Sequence, residues 1–178
     1  MRNLLISYLR RSMLAVLLVW AGTASGQVVF TKKSLSTEAA EKMTNSCMEW
    51  YKNHKVNGKP SIWVLDANGE IIYMKRVDGA NRVGIETGRM KAESALYLFR
   101  PTRAISNFAK NPAGTPKPSG EAMLVLLHGY SSVGGLPIFV DGDLVGSIGV
   151  GGMAPDAASG TYPDEQCAQA GMDAVFKK

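Results

Sequence analysis

The sequence predicts an α+β domain, and three observations carry that reading. One apolar stripe recurs at three- and four-residue steps from Ala39 to His54, two strand pairs are joined by tight-turn sequences, and Pro163-Asp164-Glu165 opens a closing helical run. At 178 residues and 46% hydrophobic, the chain can bury one sizeable core, which argues against a second domain of comparable size.

The first helix begins where Ser34-Leu35-Ser36-Thr37-Glu38 supplies N-cap hydroxyls and a first-turn acid that suits the helix dipole. Its stripe comprises Ala39, Ala40, Met43, Cys47, Trp50, Tyr51 and His54, and Asn57-Gly58 ends it. Ser61 to Leu65 and Glu70 to Arg76 are β-rich, and Asp66-Ala67-Asn68-Gly69 between them reads as the turn of a hairpin. A second helix is expected from about Val83 to Phe99, with Ile85, Gly88, Ala92, Ala95 and Phe99 on one side. Asn111 to Gly120, "NPAGTPKPSG", reads as a long surface loop, because three prolines and two glycines oppose regular structure. Ala122 to Leu127 is continuously apolar, and periodicity leaves it either a short helix or a buried strand. A last helix is expected from Pro163 through Val175-Phe176.

The N-terminal 26 residues read as a signal peptide outside this domain, leaving 27–178 as the mature chain. Arg2, Arg10 and Arg11 precede the apolar run Met13 to Trp20, and Ala24-Ser25-Gly26 offers small residues for cleavage before Gln27. That run is far shorter than the roughly 20 residues that span a bilayer, so no membrane span is expected after processing. Removing three arginines and no acid lowers the formal charge from +5 to +2. With no basic cluster interleaved with aromatics either, nucleic-acid binding is not expected. A periplasmic or secreted location permits a disulfide, with Cys47 and Cys167 the two candidates; the sequence leaves their pairing open.

"GGLPIFVDGDLVGSIGVGG", Gly134 to Gly152, is the most unusual stretch. Asp141-Gly142 is the composition of a two-residue hairpin turn, but the remaining glycines lie along strands, where glycine is normally avoided. They imply close approach by a helix or by a flat ligand. A phosphate loop is excluded, since no helix start follows with Gly-Lys-Ser/Thr.

This stretch with "DEQCAQAGMDAV", together with "SIWVLDANGEIIYMKRVDGA" and "GRMKAESA", resembles the family of small haem-binding or haem-degrading proteins that includes GlcG and HbpS. The resemblance implies a profilin-like single domain: a five-stranded antiparallel sheet with the N- and C-terminal helices packed together on one face, assembled into homo-oligomers. It also implies haem, or a similar planar molecule, as the ligand. Some exported relatives use a histidine close to the mature N-terminus, and "QVVFTKKSLSTEAAEKM" has none.

Haem needs an apolar slot, an axial ligand and cations for its propionates. His128, just upstream of the glycine-rich hairpin, is the preferred axial and metal ligand, with Tyr130 and Met153 able to complete or replace the coordination; His54, at a helix end, ranks lower. Arg76, Arg82, Arg89 and Lys91 are the candidates for the propionates. No catalytic triad, nucleophile elbow or Cys-x-x-Cys zinc pattern is present. Asp164-Glu165 reads as helix-start chemistry. Three functions stay open: an exported haem binder that sequesters or presents its ligand, a haem-degrading enzyme that releases iron, and an oligomeric scaffold without haem.

Overall fold

Ser36 accepts a hydrogen bond from the Ala39 amide at 3.2 Å and so starts helix α1 (Thr37–Asn53) where the sequence placed it. The computed structural model describes residues 31–127, 129–156 and 159–177. The expected signal peptide and its cleavage site lie outside these residues, as does His128. After α1 come β1 (Gly58–Asp66), β2 (Ile71–Arg76), α2 (Arg82–Tyr97), α3 (Thr102–Phe108), α4 (Pro118–Leu126), β3 (Gly135–Val140), β4 (Asp143–Met153) and α5 (Pro163–Phe176).

The architecture is α+β. Four strands form one antiparallel sheet in the order β2-β1-β4-β3. The fifth strand that the resemblance implies is not among the described residues. Both hairpins form as expected, and the second turns through Asp141 and Gly142 at φ 52° and 85°, the left-handed pair that a type I′ turn demands.

Side chains alternate across the strands, so each face of the sheet carries its own partner. Ile62, Val64, Ile138, Ile148 and Val150 point to one face and form the main core with Ala40 and Met43 of α1 and Ala168 of α5. The first and last described helices, α1 and α5, therefore share that face. Cys47 and Cys167 join them in a buried disulfide with Cα atoms 4.6 Å apart. Closing a loop of that length is worth roughly 4–5 kcal/mol in the chain-entropy model.

On the other face, Ser61, Trp63, Ser147, Gly149 and Gly151 meet α2. A Cβ at Gly149 would fall deep inside contact distance of the Gly88 carbonyl oxygen and the Ala92 amide, and one at Gly151 would sit 2.5 Å from the Gly84 oxygen. At Gly135 it would collide with the Lys91 carbonyl. The strand glycines thus seat a helix, which decides between the two possibilities the sequence offered. Ser61 Oγ, Trp63 Nε1 and Ser147 Oγ donate to the Gly84, Ile85 and Ala92 carbonyls at 2.8, 2.9 and 2.8 Å, fixing α2 in that seat.

Three sequence expectations need correction, and one alternative left open is settled. Phe99 is not on the buried face of α2: the helix ends at Tyr97, and Phe99 takes a left-handed conformation (φ 56°) with 63% of its surface exposed. Pro101 forces this exit, because the residue before a proline is disfavoured in helix. The proline-rich loop is shorter than expected, because Pro118 occupies a first-turn position of α4, where its missing N–H costs nothing. The alternative left open for Ala122–Leu127 is settled as helix through Leu126, and most of the stretch is exposed. His54 is not part of the buried stripe; it is exposed and stacks on Trp50 with ring centroids 4.3 Å apart.

Gly149→Ala should destabilise the fold by about 1–3 kcal/mol, as overpacking against fixed backbone does. A urea titration checks this through a lower midpoint at unchanged slope. An unaltered midpoint would mean that α2 does not lie on β4 as described.

Candidate functional site

Two clefts flank α2, one polar and one apolar. The polar cleft, of about 230 Å³, lies where the start of α2, the end of β4 and the start of α5 meet, and Thr87, Lys91, Ser132, Met153, Tyr162 and Asp164 are among its lining. Lys91 reaches it because the glycine seat lets its helix turn rest on Gly135; Asp164 reaches it from the first turn of α5. Lys91 Nζ donates to Asp164 Oδ2 at 2.6 Å, with 4% and 7% of the two side chains exposed. Asp164 Oδ1 accepts the Met153 amide at 3.1 Å. Burial pushes the Asp164 carboxyl above its usual range, an effect that the Lys91 charge and these hydrogen bonds oppose.

The apolar groove, of about 210 Å³, opens at the other end of α2. Leu98, Ile105, Phe108, Met123, Leu124 and Leu127 line it, with Arg100 as its one cation. Ile105 and Leu124 are buried beneath it with Ala109 in a small satellite core. Leu127 forms one wall, and Gly129 packs against Leu124 and Leu98 so closely that a Cβ there would lie 3.0 Å from each.

Of the residues picked from sequence, the structure brings Lys91 and Met153 together in the polar cleft. Tyr130 is half-buried and donates its amide to Ser94 Oγ at 2.7 Å. Arg76, Arg82 and Arg89 are exposed at the end of β2 and along α2, lining neither cleft; Arg89 pairs with Glu93 at 2.7 Å. His128 lies outside the described residues, between Leu127 and Gly129. His54 Nδ1 lies 2.7 Å from the Trp50 carbonyl oxygen, and a proton there donates to it, in a third cleft shared with Asp156 and Gln166. Among the described residues no group of three or more His, Cys, Asp or Glu side chains is placed to hold a metal ion. No described helix is long and apolar enough to cross a membrane.

Sequence reasoning missed Asp164 as Lys91's partner and missed the groove. For the groove a signal existed: α4 is apolar around its circumference, which demands a partner on every side. For Asp164 none did, since its partner is 73 residues away.

A sheet of this order with α1 and α5 cross-linked on one face and α2 seated on glycines on the other defines a small α+β domain. Residues 35–173 match the family model "Haem degrading protein HbpS-like", and the chain belongs to that family. Protein GlcG of Escherichia coli K12 is 27% identical over 121 residues, which are 67% of this chain and 83% of that protein. Among solved structures, HbpS aligns with TM-score 0.69 at 26% identity, covering 88% of this chain and 100% of that one. A complex of PduOC with haem aligns at 0.67 and 21%, covering 80% and 96%. Klebsiella pneumoniae ORFY aligns at 0.69 and 20%, covering 85% and 97%.

Replacing Lys91 by Met should cost about 3–5 kcal/mol at neutral pH, the price of leaving Asp164 buried and unpaired. Because a neutral Asp164 tolerates burial, that loss should shrink as pH falls. The double variant Lys91→Met with Asp164→Asn keeps an acceptor for the Met153 amide and should recover most of the stability. Thermal melts from pH 4 to 8 check both; equal losses in the single and double variants would contradict the assignment.

Proposed function

We propose that the chain is an exported haem-binding protein that sequesters or presents its ligand, and that haem enters the apolar groove lined by Leu98, Met123 and Leu127. The groove itself carries the reading. Its aliphatic and aromatic walls offer a macrocycle the contact it needs, and Arg100 offers a propionate its cation. The glycine-rich sheet face, the other place for a planar ligand, is filled by α2. His128 is assigned as axial ligand because its chain neighbours Leu127 and Gly129 both border the groove. Tyr130, one residue beyond Gly129, is the alternative. Met153 lines the polar cleft instead and is not assigned. Haem would bring the iron and its chemistry; the protein's part is to exclude water from the ring and fix its orientation.

A groove of about 210 Å³ is smaller than the roughly 300–1,000 Å³ that encloses a ligand of this class, so something else must cover the ring. A second copy of this chain is the proposed cover, in a homo-oligomer. Val125, Leu126 and Phe99 continue the apolar surface past the groove at 74%, 81% and 63% exposure, a patch of the kind that marks association. The Cys47–Cys167 disulfide supports export to the periplasm or beyond, since such bonds persist in oxidising compartments. Degradation is the second reading, favoured by the family's description. Iron released in proportion to protein, with peroxide or a reductant present, would select it.

Titrating the purified protein with haemin should give a Soret band. Met123→Glu, at a half-exposed groove position, should weaken uptake at least about tenfold (about 1.4 kcal/mol) without lowering the melting temperature. His128→Ala should shift the Soret maximum. Wild-type titrations in both variants would remove haem from this groove. Mass spectrometry of the exported protein should find Gln27 at its start, and an intact Met1 would contradict export with cleavage.

A further inference from the structure

The polar cleft contains a charge pair that the fold does not need as a fastener. Three neutral hydrogen bonds, from Ser61, Trp63 and Ser147, already hold α2 on the sheet. A buried ion pair adds little to stability, because stripping water from two charges offsets their attraction. Yet Lys91 and Asp164 are among the most deeply buried charged side chains here, and both line an open cleft. An ammonium has three donors, and among the described residues Asp164 Oδ2 is the one acceptor Lys91 has. The remaining donors call for acceptor oxygens.

We propose that this cleft seats a carboxylate group on the Lys91 ammonium, taking up a proton at Asp164 as it does so. A second carboxylate beside Asp164 would otherwise place two negative charges against one positive charge in a site with little water. Uptake balances the charge. The empty site, Lys91 ammonium with Asp164 carboxylate, is neutral; adding the ligand anion and one proton gives ammonium, carboxylic acid and ligand carboxylate, neutral again. Asp164 keeps Oδ1 as acceptor for the Met153 amide, and the new O–H at Oδ2 donates to the ligand oxygen. The Asp164 carboxyl, already raised by burial, is suited to take that proton. The groups around it do not compete: Lys91 from α2 is the facing charge, Met153 at the end of β4 offers only its amide, and Glu165 on α5 is turned to Arg103 of α3. Tyr162 beside it carries the Arg103 guanidinium over its ring at 4.5 Å.

At about 230 Å³ the cleft suits a short carboxylate, either a free small organic acid or the propionate arm of a larger ligand. The inference does not depend on haem binding. Adding propionate to ¹⁵N-labelled protein should shift the amides of Lys91, Gly152, Met153 and Asp164. Affinity should rise up to about tenfold per pH unit as pH falls toward the probe's own protonation, the slope for one linked proton. The double variant Lys91→Met with Asp164→Asn should lose these shifts while remaining folded. Comparing haemin with its dimethyl ester in the wild type and in the double variant separates the sources: an ester penalty that shrinks in the double variant assigns the site to a propionate arm, and an unchanged penalty alongside propionate shifts assigns it to a free acid. Absent propionate shifts together with an ester penalty that the double variant leaves unchanged would overturn the proposal, as would propionate shifts whose affinity ignores pH.

Discussion

The backbone-to-backbone seating of α2 on β4 and β3 is the constraint on which the rest of the structure depends. Gly88 on the helix and Gly135, Gly149 and Gly151 on the strands remove the side chains that would hold the two layers apart. Glycine in a strand costs conformational entropy and contributes no packing of its own, so the seat is stable only because the layers close on it. Ser61, Trp63 and Ser147 then reach carbonyls on the underside of the helix. That short separation lets Lys91, in the middle of α2, approach the start of α5 past the β3 edge and meet Asp164.

The two faces of the sheet divide the work. One face holds the aliphatic core and the disulfide, with no cleft of its own needed to explain its residues. The other is thin, glycine-rich and hydrogen-bonded, and both of the clefts assigned here lie at its margins. Thr102 connects the two ends of this face: its hydroxyl accepts the Gly134 and Gly135 amides at 3.0 and 2.8 Å, tying the start of α3 to the start of β3. The groove between α2, α3 and α4 is therefore built on a short helix anchored to the glycine seat, and its exposed apolar surface is where the proposed ligand and second copy would sit.

Much of this was legible in the sequence because it is encoded locally. Ser36, the Asp141-Gly142 turn and Pro163 each set an element boundary through a neighbour's backbone, and each boundary was found. α3 was not, since seven residues carry too little periodicity to register. The start of α4 was hidden by a proline that reads as a loop signal although it suits a helix's first turn. Phe99 misled for the opposite reason, its spacing fitting the stripe while Pro101 ended the helix before it. The disulfide and the Lys91–Asp164 pair link residues 120 and 73 positions apart, and no local pattern records such a meeting. Of the site residues chosen by type, Lys91 and Met153 converge, whereas the exposed arginines were picked for charge alone and line neither cleft.

A crystal structure of the protein grown with haemin tests the central claim most directly. The account predicts α2 unchanged on its glycine seat, with porphyrin density against Leu98, Met123 and Leu127 at the far end of the helix. Porphyrin density between α2 and β4, with the helix displaced from Gly149 and Gly151, would contradict it.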